Sequence, residues 1–480
     1  MTRATLALLA LLVAPAVGQE AFRPELTPEA IERCLSDDHY GVYLEGTKCG
    51  WARITLERKG QPKPRYLASF HMTFQLTAMG DRIELDMHER TEFSVEAPYA
   101  WLGGSSMERE NAQAAGRILR PGPKGLTVTS ISGGERTEQT FPAVDYTLAD
   151  YLASAVWIQQ GPAVGEEVHY RTLDEDEART KLESMRVSAA REALIDGVKT
   201  RLFDVTMSSE EEGETGTGSL DARGLMLEAL LLGLVEIRLE PAELAKQIEF
   251  SADLFVSGTA RIDKPLGDPS TVRRLRVRVD GKTASSLRGG PFQTVTEVEG
   301  ARVLTVDVSG DARLKAKEGD AQRYLRATPD VPHDHPQVQA LAKQAVGDAA
   351  TPAAKVERLV HFVADYVEDA YGRDKIDLLS VIRTKEGDCT EHAKLLTALA
   401  RAVGVPARDA GGLVYMGDAE KGFGPHAWNE VLLDGHWVPV DATWDEVTIN
   451  ATHIKTSHDG GQADRWGKLE LTLLEVQHRE

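Results

Sequence analysis

The sequence predicts an α+β protein in which an antiparallel, β-rich N-terminal region precedes a domain of mixed helices and strands. Two changes in the spacing of apolar residues along the chain support this prediction. From about residue 38 to 260, apolar residues tend to occupy every second position in short segments broken by Gly, Pro and Asp, which is typical of half-buried antiparallel strands. After three closely spaced prolines in "TPDVPHDHPQV", apolar residues recur at helical spacing until about residue 404, and strand-like alternation then returns.

The length of the chain and the spacing of its apolar residues together predict four segments. A chain of 480 residues exceeds one ordinary hydrophobic core, since single cores stop growing near about 250–300 residues. We expect a signal peptide at 1–18, a β-rich domain at 19–265, a second β-rich segment or small module at 266–325 and an α+β domain at 326–480. The sequence leaves open whether the second segment extends the first domain or stands alone.

Charge and hydropathy argue against two classes of partner. A formal net charge of -20 repels the phosphate backbone of nucleic acids, and no stretch concentrates Lys and Arg with interleaved aromatic residues. The densest apolar stretch, "GLMLEALLLGLVEIRL", contains Glu228, Gly233 and Glu236 and is shorter than the roughly 20 residues that span a bilayer. It therefore predicts two strands joined by a turn. We expect no nucleic-acid partner and no integral membrane segment after signal removal.

The N-terminal stretch "MTRATLALLALLVAPAVGQE" has the pattern of a secretory signal. Arg3 precedes an apolar run, and the small residues that follow predict cleavage after Gly18. We therefore expect an exported protein in a periplasmic or extracellular location.

The three cysteines are informative in an oxidising compartment. Cys34 and Cys49 flank "LSDDHYGVYLEGTK", a spacing that a disulfide could close if the segment turns back on itself. Cys389 is then left over. A leftover thiol in an exported protein indicates intermolecular pairing or a reactive group, and the alternative is an inert, buried cysteine.

The surroundings of Cys389 favour reactivity. In "EGDCTEHAKLLTALARAVGVPAR", apolar residues recur at helical spacing after the cysteine, so Cys389 begins a helix with Asp388 as N-cap and Glu391 completing a capping box. A thiol in the first helical turn is expected to have a lowered pKa. The carboxylates of Asp388 and Glu391 oppose that effect, so an imidazole partner is needed.

A predicted hairpin can supply the partner. In "HAWNEVLLDGHWVPVDATW", Asp434-Gly435 is a favoured two-residue turn, which places Leu433 opposite His436 and Trp428 opposite Asp441. His426 and Asp441 then lie on the same face as diagonal neighbours. Cys, His and Asp would form the nucleophile, base and orienting acid of an acyl-transfer triad.

These motifs, in the order Cys, His, Asp, resemble the core of the transglutaminase-like superfamily, whose fold is related to papain-like cysteine proteases. The resemblance covers roughly residues 325–450. It implies a catalytic domain at 326–480 in which Cys389 is the nucleophile, His426 the general base and Asp441 the orienting acid. His392, one helical turn after Cys389, is the alternative base.

We expect an exported cysteine hydrolase or acyl-transferase that acts on peptide or protein amides of the cell envelope through a thioester, with peptidase or amidase activity favoured. Protein-glutamine crosslinking and a non-catalytic binding or assembly role in the envelope are the alternatives. No cofactor and no metal are expected, because no acidic calcium loop is visible and His333 and His335 lie beside prolines without further clustered ligands. The sequence does not predict an oligomeric state.

Overall fold

The computed structural model describes most of the chain. The described residues are 20–44, 46–78, 81–110, 113–132, 134–195, 198–209, 213–231, 235–248, 252–253, 260–281, 284, 287–309, 313–370, 377–418, 422–456 and 469–479. The predicted signal peptide at 1–18 lies outside them. The α+β fold class predicted from the sequence is confirmed, with the strands concentrated in the N-terminal region.

The N-terminal region forms one long sheet of consecutive strands. Its strands are β1 Ser36–Leu44, β2 Thr47–Lys59, β3 Arg65–Ala78, β4 Asp81–Ser94, β5 Trp101–Glu110, β6 Gln113–Gly122, β7 Gly125–Ser132, β8 Glu135–Phe141, β9 Glu167–Asp174, β10 Arg179–Ile195, β11 Val198–Ser209, β12 Gly213–Asp221, β13 Met226–Leu231, β14 Val235–Leu239 and β15 Ala252–Asp253. Successive strands from β1 to β8 and from β9 to β14 pair antiparallel, and β1 pairs with β14 to join the two series. The short β15 adds in parallel beside β3.

The apolar stretch that could be mistaken for a membrane helix belongs to this sheet. It forms β13 and β14, which pair antiparallel, so the two predicted strands are confirmed, whereas the predicted turn at Gly233 lies outside the described residues. In the part of the chain that the structure describes, no helix is long and apolar enough to cross a membrane.

Helices occur in two groups. Those within the N-terminal region are α1 Pro28–Cys34, α2 Leu148–Tyr151, α3 Ala153–Gln159 and α4 Ala242–Ala245, and the later ones are α5 Asp320–Arg323, α6 Pro336–Val346, α7 Pro352–Tyr366, α8 Leu378–Thr384 and α9 Cys389–Ala402. Helices α1 to α3 pack on one face of the N-terminal sheet, where Ile31 and Leu148 join Phe93 and Leu126 in a buried cluster. That burial leaves the alternate residues of β4 on the other face of the sheet.

The second sheet unites the C-terminal strands. Its members are β16 Ala260–Ile262, β17 Val272–Asp280, β18 Gln293–Val298, β19 Ala301–Asp307, β20 Leu314–Lys315, β23 Ala407–Tyr415, β24 Gly422–Leu433, β25 His436–Val440, β26 Ile454–Lys455 and β27 Glu470–His478. The order runs β18-β19-β17-β27-β16-β24-β23-β26, and β25 pairs with β24 and β20. The two-residue strands β21 Glu368–Asp369 and β22 Glu386–Gly387 pair separately in parallel.

The predicted second β-rich segment, 266–325, therefore shares hydrogen bonds with the C-terminal region. Its strand β17 pairs along nearly its whole length with β27. Strand β27 comes from the last residues of the chain, far from β17 in the sequence. The local pattern therefore could not predict this pairing, and it left open which domain the segment joins.

Helices α6, α7 and α9 pack together against the hairpin β24–β25. The apolar residues at helical spacing in α7 and at the residue after it are all buried in this core, namely Val356, Leu359, Val360, Val363 and Val367. Val431 and Val440 extend the same core from the hairpin, so α9, which begins at Cys389, and β24, which carries His426, are packed directly against each other.

The predicted disulfide between Cys34 and Cys49 is not formed in the structure, where both are free thiols. Cys34, at the end of α1, accepts a hydrogen bond from Gln159 Nε2 at 3.2 Å. Cys49 lies in β2 and its thiol donates to the backbone oxygen of Val42 at 3.6 Å. The intervening segment does turn back, as β1 and β2, but the two thiols end in separate apolar clusters.

Candidate active site

Helix α9 begins at the predicted cysteine with the predicted cap. Asp388 Oδ1 accepts a hydrogen bond from the backbone N–H of Thr390 at 2.7 Å, and Glu391 Oε2 accepts one from the N–H of Asp388 at 3.0 Å. Gly387 allows this approach, because a Cβ there would lie 2.4 Å from Glu391 Cβ. The capping box thus fixes the backbone that carries Cys389.

The hairpin has the register predicted from its turn. Leu433 pairs with His436 and Asn429 with Val440, which continues the sequence-derived alignment to the end of β25. Both faces of the hairpin are buried, the one that carries Trp428 and Trp437 as well as the one that carries Val431 and Val440. The helices cover one face, and on the other Trp437 contacts Tyr324 and Arg408.

His426 and Asp441 meet in a buried hydrogen bond. His426 Nε2 lies 2.7 Å from Asp441 Oδ2, and both side chains are almost fully buried. A second histidine, His453, places its Nε2 3.2 Å from the same oxygen. The other oxygen, Asp441 Oδ1, accepts from the N–H of Thr443 at 2.8 Å. We call His426, Asp441 and His453 the buried cluster.

The carboxylate of the buried cluster is held ionised. Burial alone would raise the pKa of Asp441, but the charge and hydrogen bond of His426, joined by those of His453, outweigh it and bring the pKa below its ordinary value. The hydrogen bond through Nε2 leaves Nδ1 of His426 as the ring nitrogen available for another partner. His426 can therefore exchange a proton at Nδ1 while Asp441 holds the ring.

A tight turn after the hairpin covers this pair. Asp441 and Glu446 exchange two backbone hydrogen bonds, of 2.8 and 2.7 Å, and the turn between them carries Trp444. The indole of Trp444 stacks on the His426 ring with centroids 4.4 Å apart and planes 10° apart, and it is 41% exposed. Trp444 therefore forms the solvent-facing wall beside His426, whereas Trp428 and Trp437 are core residues.

Cys389 lies beside β24, the strand that carries His426. The backbone of Ala427, the residue that follows His426, is close enough to the Cys389 sulfur to act to lower the pKa of the thiol. Burial, and next the charge of Asp388, raises the pKa of the Cys389 thiol to about 12. The sequence predicted a lowering by the helix and an opposing effect of the carboxylates; in the structure the pKa is raised, so the resting group is a neutral thiol.

The alternative base, His392, has a structural role. Its Nδ1 lies 2.8 Å from the backbone oxygen of Asp388 and its Nε2 lies 3.2 Å from that of Val367. With both ring nitrogens against backbone carbonyls, His392 ties the start of α9 to the end of α7. Both of its ring nitrogens are thus directed at the backbone rather than at Cys389.

A separate cavity of about 840 Å³ lies between the N-terminal sheet and the helices. Acidic side chains such as Glu89, Glu175 and Asp330 line it, and Lys394 reaches it from α9. Lys394 is only five residues after Cys389, but the three predicted triad residues do not line the cavity. It therefore adds no group to the site around Cys389.

The sequence analysis missed His453. This histidine reaches Asp441 because β23 lies between β24 and β26, with Gly412 paired to His426 on one side and to Lys455 on the other. Gly412 permits the approach, since a Cβ there would lie 2.0 Å from the oxygen of Ile454. The only indication of His453 in the sequence is its position shortly after Asp441, and that position by itself does not predict a contact.

Comparison with known proteins identifies the region that carries this site. Residues 339–442 match the model of the transglutaminase-like superfamily. This segment contains Cys389, His426 and Asp441, whereas Trp444 and His453 lie beyond it.

Two curated relatives match a minor part of the chain. An uncharacterised protein of Haemophilus influenzae is 30% identical over 149 residues, which are 26% of this chain and 40% of that protein. The kyphoscoliosis peptidase of Mus musculus is 30% identical over 104 residues, 20% of this chain and 16% of that protein. The chain thus spans less than half the length of either relative.

A solved structure of a candidate cysteine protease from Cytophaga hutchinsonii is 17% identical and covers 46% of this chain and 86% of its own, with a TM-score of 0.27. The assignment therefore depends on the family model and on the motifs it spans. The resemblance predicted from the sequence is confirmed for this part of the chain: residues 339–442 match a transglutaminase-like domain.

Proposed function

We propose that this protein is an exported cysteine hydrolase that cleaves peptide or protein amide bonds through a thioester on Cys389. The observation that carries the proposal is the buried hydrogen bond of 2.7 Å between His426 and Asp441, next to the backbone of Ala427 that lies close to the Cys389 sulfur. The name of the mouse relative, a peptidase, agrees with hydrolysis. The signal pattern at 1–18 supports export.

In the first half-reaction, the sulfur of Cys389 attacks the carbonyl carbon of the substrate amide while its proton moves to Nδ1 of His426. The imidazolium then gives this proton to the amide nitrogen, the C–N bond breaks, and the amine leaves with the thioester formed. Because the pKa of the thiol is raised, proton transfer and attack must be coupled. His426 must therefore act as the general base that removes the proton of Cys389.

In the second half-reaction, His426 takes a proton from water as the water oxygen attacks the thioester carbonyl. The C–S bond breaks, the acid product leaves, and the proton returns to the sulfur of Cys389. Asp441 stabilises the imidazolium formed in each half-reaction, and Trp444 shields the His426–Asp441 hydrogen bond from water. In a drier environment that charge interaction is stronger.

Labelling with a thiol-directed acylating probe tests the proposal. We expect labelling of the wild type and its loss in Cys389→Ala, His426→Ala and Asp441→Ala. Cys34→Ser is the matched control, because it removes another partly exposed thiol and should leave labelling intact. Unchanged labelling in His426→Ala would reject the catalytic role and favour a binding or assembly protein.

The acceptor that resolves the thioester requires a second experiment. A fluorescent primary amine and an unfolded, glutamine-containing protein are incubated with the enzyme, with Cys389→Ala as the control. Hydrolysis predicts shortened peptides and no amine incorporation. Covalent incorporation of the amine would instead identify a crosslinking transamidase, which shares the first half-reaction.

A further inference from the structure

A second group of histidine and aspartate side chains lies on the N-terminal sheet, away from the transglutaminase-like domain. Strands β3 and β4 pair antiparallel, with His71 opposite His88 and Thr73 opposite Asp86. Because Asp86 is two residues from His88, all three side chains of His71, Asp86 and His88 emerge on one face of the sheet. We call these three residues the ladder cluster.

The donor atoms of the ladder cluster converge. His88 Nε2 lies 2.7 Å from Asp86 Oδ1, His71 Nε2 lies 3.4 Å from Asp86 Oδ2, and all three ligand atoms are within 4.8 Å of one another. A tetrahedral Zn²⁺ ion, with bonds of roughly 2.0–2.2 Å, needs donors about 3.3–3.5 Å apart. Small side-chain rotations therefore suffice to bring the three donors onto one ion.

Neighbouring groups orient the donors. Thr73 Oγ1 donates to Asp86 Oδ2 at 2.9 Å, and the edge of Trp51 contacts the His71 ring with centroids 4.6 Å apart. Such outer contacts fix the angle at which a carboxylate or imidazole meets a metal. The two imidazoles stack with centroids 3.8 Å apart, so two protonated rings would repel each other there.

One cation lies close enough to compete with a metal ion for the carboxylate of Asp86. The competing cation is Arg109, whose Nη2 is 4.0 Å from Asp86 Oδ2 and whose side chain is 55% exposed, so its attraction is weak.

We propose that His71, Asp86 and His88 bind one first-row divalent transition-metal ion, such as Zn²⁺, with water completing the coordination. Two imidazoles and a carboxylate are suitable ligands for such an ion. The side chains are 29%, 21% and 46% exposed, so the ion can enter and retain water ligands. The site is independent of the chemistry proposed for Cys389.

Zn²⁺ binding to the purified, chelator-treated protein tests the proposal by competition with a chromophoric chelator. We expect one site in the wild type whose affinity falls at least about tenfold in His88→Ala and in Asp86→Asn. His478→Ala, which removes an exposed histidine elsewhere, is the control and should bind Zn²⁺ as the wild type does. Two different variants guard against a folding defect in either one.

Equal Zn²⁺ affinity and stoichiometry in the wild type, His88→Ala and Asp86→Asn would overturn the proposal. Loss of the ion in His453→Gln with retention in His88→Ala would also overturn it, because the ion would then belong to the buried cluster. As a second readout, Zn²⁺ should raise the melting temperature of the wild type and of His478→Ala but not that of His88→Ala.

Discussion

The buried cluster and the ladder cluster contain the same three residue types, yet their surroundings give them different chemistry. In the buried cluster, His426, Asp441 and His453 are at most 5% exposed, and one carboxylate oxygen meets both imidazoles. In the ladder cluster, the side chains are 21% to 46% exposed and each imidazole meets a different carboxylate oxygen. These are the two groups of this kind among the described residues.

The comparison shows that two properties determine the role of such a group. One is how deeply its side chains are buried, and the other is what lies next to them. The buried cluster adjoins a thiol and is covered by an indole, which favours proton transfer over ligand exchange. The ladder cluster faces solvent on a rigid pair of strands, which favours an ion with water ligands. Substitutions that act on one cluster and spare the other can break or sharpen this comparison.

The largest effect is expected from Asp441→Asn. The amide keeps the size of the side chain but loses the charge that stabilises imidazolium at His426, so kcat should fall by about 10³–10⁴ with little change in KM. Amide hydrolysis measured over a range of substrate concentrations gives both constants. Asp434→Asn, the same change at the hairpin turn, is the control. An Asp441→Asn enzyme within tenfold of the wild type would contradict the role of the carboxylate.

The resting state of Cys389 is expected to appear in its rate of alkylation. Because its pKa is raised to about 12, the thiolate fraction and hence the rate should rise about tenfold per pH unit between about pH 7 and 9. Mass spectrometry of the Cys389 peptide after timed iodoacetamide treatment measures this rate. A rate that is constant across that range would instead indicate a thiolate–imidazolium pair at rest.

An intermediate effect is expected from His453. In His453→Ala, Asp441 loses one of its two imidazole partners, so kcat should fall about tenfold, which corresponds to about 1.4 kcal/mol. His453→Gln can still donate a hydrogen bond and should recover part of the loss. Steady-state kinetics separate kcat from KM, and circular dichroism checks the fold. Wild-type kcat in His453→Ala would show that this histidine does not position Asp441.

The smallest effect is expected from His88→Ala in metal-free buffer. Its ring is 46% exposed, so the free energy of unfolding should change by no more than about 0.5 kcal/mol, and kcat should be unaffected. Urea denaturation with a chelator present measures the stability. A loss above about 2 kcal/mol would mean that the ladder cluster supports the sheet rather than serving an ion.

Local patterns in the sequence predicted much of the fold and of the site. The capping box at Asp388, the register set by Asp434-Gly435 and the strand pair at 224–239 each depend on residues close in the chain. The proposed disulfide was wrong for this structure, because spacing alone does not tell whether two thiols in adjoining elements point toward each other. The attachment of the 266–325 segment required contact with residues far along the chain.

The sequence by itself determined the class of the fold, the helix that begins at Cys389 and the shared face of His426 and Asp441, because helix caps and hairpin parity are short-range properties. Only the tertiary structure decided how buried each group is, and therefore the raised pKa of Cys389. It alone also brought His453 to Asp441 across an intervening strand. Burial and contacts between distant residues arise from the packing of the whole chain, which no local pattern specifies.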